Sequence, residues 1–100
     1  MNPKLSMTKN LLFDLESTGL LRVGSTIHCI VMRDMSTPND TEVFDYKPER
    51  AIIQGIKQLE QADSLIGHNI ISYDIPLIKE QFPDFAPRGQ VIDTLVLSRL

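Results

Sequence analysis

The sequence predicts an α/β domain that opens with an antiparallel meander of three short strands and continues with helices alternating with further strands. Three observations carry that prediction. An apolar run, "NLLFDLE", follows a polar leader; two more strand-like runs come after it with brief connections; and beyond Pro48 the apolar residues fall at helical spacing.

Residues 9–16 read as the first strand. The Gly24-Ser25 turn signal precedes a second, "TIHCIVMRD" (26–34), and after the loop "STPND" (36–40) the alternating "TEVFDY" (41–46) forms a third. In "ERAIIQGIKQLEQAD", Ile52, Ile56 and Leu59 share one helix face, with Pro48 and Glu49 suited to a first turn. "SLIGHN" (64–69) is short, apolar and ends in polar residues, the pattern of a buried strand. "DIPLIKEQF" (74–82) fits a helix with Asp74 as N-cap and Pro76 in its first turn. "VIDTLVLSRL" (91–100) starts as a strand or turn and runs into a helix with no Gly, Asn or Pro to close it. The expectation is therefore a polar leader over residues 1–8 and, over 9–100, the front part of one longer domain.

Composition narrows the function classes. With 42% apolar and 23% charged residues in 100 positions, the chain is globular and builds a single modest core. The lone Cys29 rules out an internal disulfide, suits a reducing compartment, and reads as a small buried hydrophobe. The N-terminus lacks the apolar core of a signal peptide, and no segment approaches the roughly 18 apolar residues of a membrane span. A cytoplasmic protein with no membrane partner is expected. Net charge is −3 and the ten Lys and Arg residues are scattered, which argues against a protein that coats duplex DNA. An enzyme that grips a few nucleotides through metal ions stays compatible with that charge.

The candidate chemistry begins at "FDLESTGLL". Composition alone yields roughly 0.4 Asp-x-Glu pairs by chance, and a second pair, Asp40 and Glu42, lies in a polar loop where water screens it. Asp14 and Glu16 differ because residues two apart on a strand share a face. Like charges held against Leu11, Leu12 and Phe13 repel and lose hydration unless a cation is shared, and oxygen ligands select a hard ion, Mg²⁺ or Mn²⁺. Exposed strand-end acids are the bland alternative. "GHNIISYDIPLI" (67–78) adds Asn69 at a strand end and Tyr73 and Asp74 at a helix start, positions that can bracket a crevice. Each has a plain structural reading too: Asp74 as a helix cap, Tyr73 as a core aromatic, His68 as a satisfied strand-end histidine.

Together these segments resemble the 3′–5′ exonuclease domains of the DEDD superfamily, most closely the N-terminal proofreading domains of phage T7-like, family A DNA polymerases. "FDLESTGLL" is similar to the first exonuclease motif, "HNIISYD" to the second, and "IDTLVLSRL" to the Ile-Asp-Thr segment that follows, so the likeness runs from about residue 10 to residue 100. The resemblance implies a ribonuclease H-like mixed sheet, the meander plus parallel strands, flanked by helices and incomplete at the C-terminus. It implies two metal ions, with Asp14 bridging them, Glu16 binding the one that activates water, and Asp74 holding the other directly or through water. It also implies Ser17 and Thr18 at the terminal 3′-hydroxyl, Leu20 as an apolar wedge between the last two bases, and Asn69 and Tyr73 at the terminal nucleotide. Leu20 reads equally as a core leucine. Asp93 is excluded from the metal set, since the matching aspartate braces a helix start. The fourth acid belongs to a Tyr-x-x-x-Asp or His-x-x-x-Asp motif, and none occurs after Asp74, so the segment alone is expected to be inactive. The implied partners are the 3′ end of single-stranded DNA and a polymerase domain of the same parent chain, and the implied setting is the cytoplasm of a phage-infected host. A free-standing DNA or RNA exonuclease of this superfamily, and a non-catalytic nuclease-fold module that binds nucleic-acid ends or partner proteins, stand as alternatives.

Overall fold

The computed structural model describes residues 8–18, 26–37 and 39–95. Leu20, the Gly24-Ser25 turn, most of the leader and residues 96–100 of the last predicted helix lie outside the described residues.

Five strands form one sheet in the order β3-β2-β1-β4-β5. The first three, β1 (Asn10–Ser17), β2 (Ile27–Asp34) and β3 (Thr41–Phe44), pair antiparallel as the predicted meander. Strands β4 (Ser64–Gly67) and β5 (Gln90–Asp93) add on in parallel beyond β1. Parallel neighbours need a crossover, and the two helices supply it: α1 (Ile52–Gln61) before β4 and α2 (Ile75–Gln81) before β5.

Alternation along β1 decides what each sheet face does. Leu11, Phe13 and Leu15 are buried in one core cluster with Ile56 and Leu59 of α1 and Leu77 and Ile78 of α2, so both helices cover that face. Asp14 and Glu16 point the other way and are exposed. With them on that outward face stand Leu12, its β4 partner Ile66, and Val31, the β2 partner of Asp14, all half-buried. Two close approaches involve glycine. A Cβ on Gly55 would sit 3.0 Å from the Phe44 ring, so a larger residue there would push the ring or α1 aside by a few tenths of an ångström. A Cβ on Gly67 would meet the Ile70 side chain at 2.4 Å and the Phe13 carbonyl oxygen at 3.0 Å, so glycine permits the tight turn out of β4.

Two predicted elements differ. Pro48 does open a turn, but it is a separate 3₁₀ turn, Pro48–Arg50; Ala51 is extended, and α1 begins only at Ile52. The Asp45–Ala51 bridge, with Ile52 N–H donating to the Asp45 carbonyl, forces that break. Asp74 is not an N-cap. It already has helical backbone angles and no side-chain capping bond, because a π-helical turn, Ile70–Asp74, feeds directly into α2.

Candidate active site at the end of the first strand

The site begins where β1 outruns its parallel neighbour. β4 accompanies β1 only from Asn10 to Leu12, so Asp14, Glu16 and Ser17 project past the end of β4. An irregularity between Glu16 and Ser17 breaks the β2 register there, a device that re-aims side chains at a strand end. Thr18 closes the hairpin: its N–H donates to the Thr26 carbonyl at 3.0 Å and its hydroxyl oxygen accepts the Thr26 N–H at 2.8 Å.

The second motif is bent onto this strand end. Asn69 takes the left-handed conformation, φ 61° and ψ 28°, which Asn tolerates better than most residues. The π-helical turn then follows, with Ile75 N–H reaching back to the Ile70 carbonyl. Inserted π turns of this kind recur at functional sites because they shift side chains relative to the α-helical path. Here the turn brings Tyr73 to Ser17, hydroxyl to hydroxyl at 3.0 Å, and lets Asp74 accept a hydrogen bond from the Leu15 backbone N–H.

Asp93 at the end of β5 fixes the turn. Its carboxylate accepts N–H bonds from Asn69 at 2.8 Å, Ile71 at 3.0 Å and Leu95 at 2.9 Å, and it is buried. The Leu95 contact caps the start of the next helix, the bracing role that the resemblance implied. Asp93→Ala is expected to cost roughly 3–5 kcal/mol, since three donors lose their acceptor in a buried place. A urea unfolding curve reads it, and a loss under about 1 kcal/mol would show that the turn holds itself.

The electrostatic tension lies on a different carboxylate from the one the sequence singled out. Asp14 and Glu16 are exposed, so water hydrates them. Asp74 is 4% exposed, and its second carboxylate oxygen is buried without a hydrogen-bond partner. Burial raises its pKa to about 6, the charge of Asp14 adds to that rise, and the Leu15 N–H only partly offsets it. An orphaned carboxylate oxygen beside a second acid is a place where a cation fits. Among the described residues, no three His, Cys, Asp or Glu side chains are gathered so as to hold a metal ion as they stand. The charge of Asp14 is felt at Asp74, and Glu16 continues the outward face of β1.

Cys29 is paired with Glu16 across the sheet and is half-buried rather than buried. Burial raises its thiol pKa and the Glu16 charge raises it further, which keeps the thiol protonated and unreactive. His68, read from sequence as a satisfied strand-end histidine, is exposed and meets Thr94 through Nδ1 at 3.1 Å. Among the described residues, no helix is long and apolar enough to cross a membrane.

Comparison with known proteins agrees with this architecture. Residues 11–98 match the RNase_H superfamily. The DNA-directed DNA polymerase of Escherichia phage T7 is 35% identical over 96 residues, a match that takes in 87% of this chain and 13% of the polymerase. Among solved structures, the family B DNA polymerase of the archaeon Pyrobaculum calidifontis superposes with a TM-score of 0.71 at 14% identity, over 93% of this chain and 16% of that one. Exonuclease I of E. coli in complex with a dA16 oligonucleotide gives 0.69 at 15% identity, over 93% and 29%. The chain thus spans less than a third of the length of each. The mixed sheet, the projecting end of β1 and a superfamily match over most of the sequence lead to one conclusion: this chain belongs to the RNase H superfamily.

Proposed function

We propose that this chain is the front part of a 3′–5′ exonuclease domain of the DEDD type, which removes nucleotides from single-stranded DNA 3′ ends as the proofreading part of a phage DNA polymerase. The observation that carries the reading is Asp74: a buried carboxylate with an unpartnered oxygen, set against the charge of Asp14 at the end of β1. A buried carboxylate of this kind needs a cation or a proton to compensate it.

Asp14, Glu16 and Asp74 would hold two divalent ions, Mg²⁺ or Mn²⁺. The ions would lower the pKa of an attacking water and neutralise charge on the attacking and leaving oxygens. The other residues hold and orient. The Leu15 N–H fixes Asp74, and the Ser17–Tyr73 contact ties the two motifs together. Ser17 and Thr18 are assigned to the terminal 3′-hydroxyl, and Asn69 and Tyr73 to the terminal nucleotide. Thr18 has its hydroxyl oxygen occupied by Thr26 but keeps its proton to donate. Leu20 is assigned to the bases as a wedge, since apolar contact holds single-stranded ends without sequence preference. The fourth acid and its Tyr or His would come from a later motif, so the 100-residue segment alone is proposed to be inactive, with the polymerase domain as its same-chain partner and the host cytoplasm as its setting.

The test uses the full-length protein and 5′-labelled single-stranded DNA. With Mg²⁺, a ladder shortening stepwise from the 3′ end is expected, and EDTA should stop it. Release of nucleotides from the 5′ end only, or a rate indifferent to EDTA, would refute the proposal.

A further inference from the structure

One aromatic ring stands apart from the rest. Tyr46 is 87% exposed, whereas Phe13, Phe44 and Phe85 are buried and Tyr73 and Phe82 pack against the same core. The chain around Tyr46 is tied at both ends. Asp45 N–H donates to the Arg50 carbonyl at 2.8 Å, and Ile52 N–H donates to the Asp45 carbonyl at 3.0 Å. Within that closed loop, Arg50 N–H donates to the Lys47 carbonyl at 3.0 Å and Lys47 N–H to the Asp45 carboxylate at 2.8 Å. A fixed backbone carrying a bare ring is a platform whose ordering cost does not fall on the ligand.

The loop lies at the same end of the sheet as the candidate site. β1 and β3 both run antiparallel to β2 and so point the same way. Glu16 is paired with Cys29, and the charges of Glu16 and Asp45 both reach the Cys29 thiol; Tyr46 is the next residue. Two strand spacings, about 10 Å, therefore separate the Glu16 end of β1 from the base of the Tyr46 loop. Between them β2 carries His28, exposed and left unpaired where Ile27 pairs with Ser17 and Cys29 with Glu16. A DNA strand whose last nucleotide sits at Glu16 has to cross that distance, so the ring meets a nucleotide upstream of the terminal one.

Stacking, and not charge, has to supply the contact. Lys47 and Arg50 are exposed, and among the described residues neither is ion-paired. Asp45 and Glu49 match them in number, so the loop has no net positive charge to draw in a phosphate backbone. An exposed aromatic ring, in contrast, accepts the face of any base. We propose that Tyr46 stacks on an unpaired base upstream of the 3′-terminal nucleotide, an outer subsite that steadies the single strand while its end lies at Glu16. This rests on the exonuclease reading given above.

The experiment uses the full-length protein in Mg²⁺ with two substrates, a long single strand of DNA and a dinucleotide too short to reach the ring, and records Tm alongside. On the long strand, Tyr46→Ala is expected to raise KM about 5- to 100-fold with kcat within about twofold, and Tyr46→Phe, which keeps the ring, to match wild type. On the dinucleotide all three proteins should be alike. An unchanged KM for Tyr46→Ala on the long strand, equal losses on both substrates, or a Tyr46→Phe protein as impaired as Tyr46→Ala overturns the stacking role. A lowered Tm with unchanged KM overturns it too, and shows that the ring packs against another part of the parent chain. An Asp14→Ala control distinguishes the two levels of the argument. If Asp14→Ala is inactive while Tyr46→Ala keeps the wild-type KM, the exonuclease reading stands and only the assignment of Tyr46 falls; if Asp14→Ala is as fast as wild type, the exonuclease reading itself fails, and the assignment of Tyr46 with it.

Discussion

Replacing Asp14 by alanine in the full-length protein is expected to slow Mg²⁺-dependent nucleotide release from DNA 3′ ends by roughly 10³- to 10⁴-fold, because metal-borne charge stabilisation is worth several kcal/mol of barrier. The loss should be clean, since Asp14 is an exposed side chain on the outward face of β1 and contributes nothing to the core. Its charge also raises the pKa of Asp74, so removing it relieves repulsion, and the variant should melt no lower than wild type. Any polymerisation by the same protein, which the proposed polymerase context would supply, should be unharmed, and that separates lost chemistry from lost folding in a single preparation. An Asp14→Ala protein that digests DNA at the wild-type rate would show that the end of β1 is not where the reaction occurs.

What the sequence made legible was local. An apolar run after a polar leader, a turn signal and the alternation of the third strand predicted the meander to within two residues at each end, because these are local signals, and in β1 one face is buried so that a slip would expose it. Helical spacing of Ile52, Ile56 and Leu59 likewise identified α1, whose buried residues include Ile56 and Leu59. What escaped depends on partners distant in the chain. Asp74 before Ile75-Pro76 looks like a cap, yet the chain is already helical there, because the carboxylate of Asp93, nineteen residues on, gathers the amides of Asn69 and Ile71 and shapes the π-helical turn. The same distance hid the state of the acids. Adjacency to Leu11, Leu12 and Phe13 suggested that Asp14 and Glu16 lose their water, but pleating turns those apolar neighbours differently: Leu11 and Phe13 go inward, and the two acids face solvent. The dehydrated acid is Asp74, buried by residues that are remote in sequence.

Asp74→Asn should separate stability from catalysis in opposite directions. The native pKa of Asp74 is about 6, above its ordinary 3.8, chiefly through burial and then through Asp14. Between those two values the folded protein holds a proton that the unfolded chain has released, so the metal-free domain loses stability as pH rises through that window and is level above it. A rise of about two units corresponds to about 3 kcal/mol lost between pH 4 and pH 8. Asparagine has the same shape, keeps an oxygen for the Leu15 N–H and cannot ionise. Its amide still lacks a partner where the orphaned oxygen lies, so the expected gain at pH 8 is smaller, about 1–2 kcal/mol. Urea unfolding in EDTA at pH 4, 6 and 8 measures this: the wild type should weaken across the series, Asp74→Asn should not, and the two curves should cross. Nuclease activity of the same variant should fall by roughly 10³-fold, since a neutral amide neither balances a divalent cation nor holds it. If Asp74→Asn proves less stable than wild type at pH 8, the buried carboxylate is a structural support, and the inference that it waits for a cation is wrong.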